Sequence, residues 1–469
     1  MLRPALAIAL ALLAAPALAG CLNPANSNLS TASTGLLGDL LASPTSLWPD
    51  HENEPHPLFN WPTLTHPATS NGTVPTWWEP VPNATVPAQV KGLEHVAKSP
   101  DAVTGGAGIA VFGSLALVPS DGPNAWVLDI HDPTHPAVLS EYPGGGERGA
   151  AIMAFPDGRL YGVVSTSPGF DVVNITDPHN ASIVAQVKAP RDGHKLGIVP
   201  GTPYVYNANS KGGDGDPLFG TTGDVQGVGD KGETEIYNLI DPEHPVLVQE
   251  FKNGYGCHHI FFWIDSSKDK ERAICAGIEY TQIWDIKDPA KPKVIVSVPV
   301  HHGNPMLPAT SVPPLVFSHF AILNQAGDEL IVGDEFMGGA TAECDGLHTP
   351  AGDHAGPLGN VWFYDVKDEK NPKLLGFFSP PPKMLSNPDV TAGCTAHHGR
   401  LVPDPAGKKQ YLAIAWYADG TVLIDFTDPT NPTMVDMWNQ GTNTWESWYD
   451  NGWIFTGDLN RGFDVLKLK

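Results

Sequence analysis

The stretch WVLDIHDPTHPAVLSEY, residues 126–142, decides the fold, because its plan recurs along the chain. A β-rich run leads to Asp129; after two intervening residues comes Asp132-Pro133, then Pro136 and a second β-rich run. The plan returns as DVVNITDPHNASIVAQV (171–187), EIYNLIDPEHPVLVQEF (235–251) and QIWDIKDPAKPKVIVSV (282–298). It returns again as WFYDVKDEKNPKLLGFF (362–378) and VLIDFTDPTNPTMVDMW (422–438), and a seventh start, FDVLKLK (463–469), stops where the turn is due. Val, Ile, Tyr and Trp suit a pleated, half-buried surface. Asp bonds its own backbone and Pro pre-sets the turn dihedral, so the Asp-Pro pair ends the strand. A second Pro opens the next run, where a missing N–H is tolerated.

Room for two more strands precedes each motif, as in RLVPDPAGKKQYLAIAWY (400–417). Four strands per unit and seven units predict an all-β, seven-bladed β-propeller. A series of sandwiches is the competing reading, disfavoured because seven evenly built units divide poorly into sandwiches. The seventh unit lacks its outer strand. The segment Pro87–Leu93 follows a Pro as the other outer strands do, and is expected to close the ring and remove the open sheet edge. Two units depart from the plan: Ala181 replaces the second Pro of the second, and Glu369 the first Pro of the fifth.

Outward from the repeats, the N-terminus reads as a targeting signal. Arg3, the apolar stretch Ala5 to Ala19 and Leu18-Ala19-Gly20-Cys21 form a signal peptide over residues 1–20, too short for a comfortable membrane span. Its end resembles a lipobox, which would make Cys21 a lipidation site; an ordinary cleaved signal with an incidental Cys21 is the alternative. Residues 21–85 are rich in Ser, Thr, Asn and Pro without a sustained period, and read as a disordered tether. Trp61, Trp77 and Trp78 are expected to dock its end. Residues 86–469 form the propeller. The chain is therefore expected to be exported, held at the cell surface by a membrane lipid anchor, and monomeric.

Fifty-one Asp and Glu against 27 Lys and Arg, a net charge of −24, argue against nucleic acid, whose binding needs clustered cations. Besides Cys21 there are Cys257, Cys275, Cys344 and Cys394, an even number that predicts two disulfides in an exported chain. Cys257 opens the inner strand of blade four and Cys275 ends its partner strand, so those two are expected to bridge. A 344–394 bridge would staple the insertion after Glu335 over the channel mouth.

Four histidines share one offset. In GHKLGIVPG (193–201), CHHIFFWID (257–265), SHFAILNQAG (318–327) and HHGRLVPDPAG (397–407) a His precedes a short apolar strand and turn residues follow. His194, His258, His319 and His397 therefore enter successive blades at one level, where innermost strands line the channel. The second strand of each blade returns to that mouth, bringing Asp334 and Glu335 on blade five and Trp416 and Tyr417 on blade six. Imidazoles with a carboxylate predict a divalent transition-metal site (Zn, Fe, Mn or Cu) formed by these four histidines and Glu335. Asp334 and Glu335 are the candidate catalytic carboxylates, Asp334 as proton acceptor. The competing reading has the histidines bonding backbone carbonyls. Strand alternation predicts that His259 and His398 face away.

Long insertions at 301–316, 338–360 and 379–393 are expected to shape a binding face for a small molecule or protein. The loop Lys211 to Glu233, with Asp214, Asp216, Asp224 and Asp230, lacks EF-hand order and reads as solvated. Asn71, Asn83, Asn174 and Asn180 head glycosylation sequons. No catalytic Ser elbow, phosphate loop or dinucleotide fingerprint is present.

The Asp-x-x-Asp-Pro units resemble the LVIVD-repeat proteins, a group of exported bacterial and archaeal β-propellers, over residues 85 to 469. The resemblance is strongest at Cys257-His258, His319, Asp334-Glu335-Phe336, Cys394-Thr395-Ala396-His397 and Ala415-Trp416-Tyr417. It implies fold rather than activity. In layout the chain is also similar to the propellers of the selenium-binding protein and methanethiol oxidase group, which implies a His-bound metal but no particular reaction. Two functions follow: a metal-dependent oxidoreductase or hydrolase at the channel mouth, or a non-catalytic surface binding module with structural histidines.

Overall fold

The computed structural model describes Trp77 and residues 79–469, apart from 88, 102, 121, 145–147, 156, 167–168, 190–193, 209–232, 253–255, 266–267, 269, 278–279, 300–315, 337–347, 350–351, 354–358, 380–394 and 405. Seven four-stranded antiparallel sheets account for nearly all of the described secondary structure, and the architecture is a seven-bladed β-propeller. The innermost strands of blades one to seven are Ala110–Phe112, Ala150–Ala154, Lys195–Ile198, His259–Asp265, Val316–Leu323, Gly399–Pro403 and Thr444–Asp450. Contacts between neighbouring blades run largely through these first strands. No described helix is long and apolar enough to cross a membrane.

The repeated motif has a physical job in every unit. Its first acidic or amide side chain accepts from the backbone N–H two residues on: Asp129 from His131, Asn174 from Thr176, Asn238 from Ile240, Asp285 from Lys287, Asp365 from Lys367 and Asp425 from Thr427, at 2.8–3.0 Å. The second Asp repeats the device, as when Asp132 accepts from Thr134 and Asp428 from Thr430. These side chains hold the turn that pure backbone pairing would leave open. A β-bulge falls two residues before the first cap in all six units, for example between Val127 and Leu128 and between Leu423 and Ile424. It adds the twist that lets flat ladders fan into blades.

Glu369, the departure in blade five, has a reason. Its carboxylate takes a two-pronged pair from Arg272 of blade four, at 3.0 and 3.1 Å, with Lys270 at 3.3 Å. Charge replaces the proline to fasten one blade to the next. Ala181 in blade two packs against the core shared with blade one.

The ring closes through an N-terminal strand, but not the stretch expected. The closing strand is Leu93–Lys98, paired antiparallel with Gly462–Leu468 from Leu93 opposite Leu468. Of Pro87–Leu93 only Leu93 lies in it. Lys91 and Gly92 donate to the Lys469 carbonyl just before it. A leading Pro marked the strand too early: the preceding residues dock instead. Val81 and Val90 are buried in the core, Trp453 donates to the Pro82 carbonyl, and Trp77 packs between blades one and two. Ordered packing thus begins ahead of residue 86. Residues 1–76 and Trp78, with the signal, Cys21, Trp61 and Asn71, lie outside the described residues. Asn83 and Asn180 are exposed and Asn174 is half-buried.

Candidate metal centre

Four inner strands deliver histidines to the axis, three of them by the same backbone device. His194, His258 and His397 each stand just before or at the start of a first strand. Each donates its N–H to an alanine carbonyl at the end of the second strand: Ala208, Ala276 and Ala415, at 2.7, 2.7 and 2.9 Å. Equal hydrogen bonds mean equal height. Blade five reaches that height differently. Its ladder pairs Ser318 with Asp334 and Phe320 with Gly333, so His319 is the bulged residue between them. Bulges re-aim a side chain, and this one puts the His319 ring in the middle of the others. Ring centroids lie 3.6 Å apart for His194–His258, 4.3 Å for His258–His319 and 3.9 Å for His319–His397.

His259 and His398 do not face away. His398 lies 4.5 Å from His319 and 4.2 Å from His397, and stacks on His259 at 4.3 Å. Alternation requires regular strand geometry on both sides of a residue, and the paired histidines stand where their strands begin. The cluster is therefore six imidazoles, each no more than 4 % exposed. Among the described residues two sets of three have ligand atoms within 4.8 Å of one another: His194, His258 and His319, and His319, His397 and His398. The expected single set of four divides, with His319 common to both halves.

Two hydrogen bonds settle which nitrogens are free. The Nδ1 of His194 lies 3.1 Å from the His258 carbonyl, and Nδ1 of His397 bonds the Trp445 carbonyl. A carbonyl only accepts, so each Nδ1 carries the proton and each Nε2 keeps its lone pair, the arrangement metal-ligating histidines use. Trp445 is itself the bulged residue of blade seven's inner strand. Both nitrogens of His258, His259 and His398, Nδ1 of His319 and Nε2 of His397 have no hydrogen-bond partner among the described residues. An orphaned buried polar atom costs about 1–3 kcal/mol. Carbonyl bonding explains two of the rings and leaves most nitrogens unexplained.

Burial sets the charge. Desolvation holds His194, His258, His259, His319 and His398 well below the ordinary imidazole value, and brings His397 down to about 3. Nearby cations add to this: Arg148 acts on His194 and His258, Lys195 and Arg400 on His259. Neutral imidazole is the metal-binding form. Burial pushes the Glu335 carboxyl up to about 8, against the Tyr417 hydroxyl that donates to it and the charge of Arg148. The 3.4 Å contact of Glu335 Oε2 with His319 Nε2 thus joins two groups that are mainly neutral at pH 7, not an ion pair. Tyr417 holds this position with φ of 46°, a left-handed backbone that costs a bulky residue on the order of 1–3 kcal/mol.

The expected carboxylate pair separates. Glu335 reaches Tyr417 of blade six. Asp334, next along the strand and on its other face, accepts from Trp362 Nε1 within the interface with blade four. Burial raises its carboxyl well above the usual range. No described contact joins Asp334 to a cluster histidine.

Beside the histidines lies a charged trio. Glu446 on blade seven accepts from Lys195 Nζ at 2.7 Å and from the Ile109 N–H at 2.9 Å, with Arg400 at 3.2 Å. The side chains of Lys195 and Glu446 are wholly buried. Gly149 of blade two makes room: a Cβ there would stand 2.9 Å from Lys195 Cδ. Sequence reasoning missed this trio and Arg148. A Lys inside the apolar run GHKLGIV and a Glu inside TWESWYD were the available signals.

The Cys257–Cys275 disulfide forms inside blade four as expected and anchors the turn that leads to His258. Cys344, Cys394, Asp214, Asp216, Asp224 and Asp230 lie outside the described residues, as do the insertions at 301–315 and 380–393. No protein-family model matches the chain, and no curated protein matches it.

Proposed function

We propose that this chain is an exported, lipid-anchored β-propeller metalloenzyme, an oxidoreductase or hydrolase working at the histidine end of its channel. The observation that carries the reading is the convergence, in a buried site, of imidazoles from four successive blades, most of whose nitrogens lack a partner among the described residues. His194, His258 and His319 form the tight donor set, with His397 and Glu335 at its edge. Three or four neutral nitrogen donors and one oxygen suit Zn, Fe or Cu, and Mn less well. Such an ion, when bound, activates water or dioxygen.

The chain's own residues supply the rest. The carbonyls of His258 and Trp445 hold two imidazoles in the donor tautomer. Tyr417 holds the Glu335 carboxyl, which is placed to carry a proton beside His319 Nε2. Asp334 takes no part in this scheme. Arg148 brings positive charge to the same end, which favours an anionic substrate. Kinship with LVIVD-repeat proteins, the signal peptide with acylated Cys21, and the 344–394 bridge belong to this proposal on their sequence patterns alone.

Elemental analysis of the purified full chain tests the reading. Near-stoichiometric transition metal, lost in a His258→Ala, His319→Ala double variant, supports it. A metal-free protein that takes up none of Zn, Fe, Mn or Cu would sink it and leave a binding module with structural histidines.

A further inference from the structure

A single ion does not account for this cluster. An ion held by His194, His258 and His319 takes one nitrogen from each ring. Nε2 of His397 and both nitrogens of His398 then still lack partners, in side chains that are fully buried. Those two rings and His319 make a second set of three, with ligand atoms again within 4.8 Å of one another. The two sets meet at His319, which serves both ions as an imidazolate, its ring proton passing to solvent as the second ion binds.

We propose that the channel holds two metal ions, the second bound by His319, His397 and His398. The inference rests on the first ion proposed above and adds a separate site beside it. The backbone prepares this site as well as the first. Nδ1 of His397 is committed to the Trp445 carbonyl, which leaves Nε2 as donor. The main chain of His398 is fixed on both sides, its carbonyl accepting from Ala415 and from Ser447 of blade seven. His259 stacks on its ring and restrains it.

Charge chooses the kind of ion. The three members of the second set include no carboxylate, Glu335 touching only the shared His319. Lys195 acts on His398, and the Glu446 carboxylate is engaged by Lys195 and Arg400. Hard cations that need oxygen donors, such as Mg, Ca and Mn, find nothing to bind. Cu, Zn, Ni and Co accept neutral imidazoles, so the second position belongs to that group.

The test is a titration of the metal-stripped full chain with Co(II), followed by visible absorption and by elemental analysis after dialysis. Two equivalents are expected in the unaltered protein, one in His398→Gln, one in His194→Gln and none in His319→Gln. Mn(II) should fill no more than one. Saturation at one equivalent in the unaltered protein, or two equivalents retained in His398→Gln, overturns the second site while the first stands. No uptake at all overturns both. The unaltered protein decides the matter even where a variant fails to fold, and circular dichroism identifies such a variant.

Discussion

The outer turns and the axis of this propeller are built on opposite terms. At the outer turns each Asp or Asn of the repeat finds its hydrogen bond two residues away, in the same way in six blades. At the axis the repeat is broken, the polar groups are buried, and most imidazole nitrogens find no partner among the described residues. Residues that satisfy themselves make the scaffold. Residues left wanting at its centre form clusters that could hold a metal ion.

The largest test of that contrast is acid. A folded imidazole value below the unfolded one means the unfolded chain binds more protons as pH falls. Stability is then full above about 6.5 and is lost below it, down to about 3 for His397. Each such ring contributes up to about 1.4 kcal/mol per pH unit within its window. Glu335, raised from 4.5 to about 8, acts in the opposite direction between those values. So do the raised carboxyls of Asp334, Asp419 and Asp458, and together they offset part of the loss from the six rings. Chelator-treated protein should show a steep fall in urea midpoint between pH 6.5 and 4.5. A flat profile would mean that the rings are not buried and neutral.

Next in size is the charged trio. Glu446→Ala leaves Lys195 and Arg400 buried without their carboxylate and should cost about 3–5 kcal/mol in denaturant unfolding. A loss under about 1 kcal/mol would show that water reaches the pair. Glu369→Pro restores the repeat in blade five, yet should destabilise by about 1.5–3 kcal/mol through the lost Arg272 pair; a gain in stability would make the proline turn the stronger device. Tyr417→Phe removes the donor to Glu335 and should weaken metal binding about 10-fold or more, read by competition with a chelating dye. Smallest is Asp285→Asn, which should leave the melting temperature unchanged, since blades two and three already use Asn174 and Asn238. Asp285→Ala should cost about 1 kcal/mol.

The same contrast explains what could be read in advance. Blade number and strand order were legible because a local hydrogen-bond device recurs with its turn, and four histidines were legible because they share an offset from that turn. His259 and His398 were misplaced because a period of two presumes a regular strand, and theirs begin at those residues. Arg148, Lys195, Arg400 and Glu446 occur once each, so no repeat points to them. Only the closed ring brings Lys195 and Glu446, 251 positions apart, within 2.7 Å. Asp334 and Glu335 read as a pair in sequence, yet neighbours in a strand serve different blades.

Leu93–Lys98 is translated before all seven sheets yet belongs to the last of them. A side-chain hydrogen bond joins its His95 to Asp464 across 369 positions, so until Gly462–Leu468 has been made this early segment lacks its ladder partner. Without that pairing the ring would be an open arc with bare sheet edges, the kind of edge at which strands recruit neighbours from other chains. Contacts of such long range form slowly. Ring closure therefore waits on the two most distant strands of the described chain finding one another.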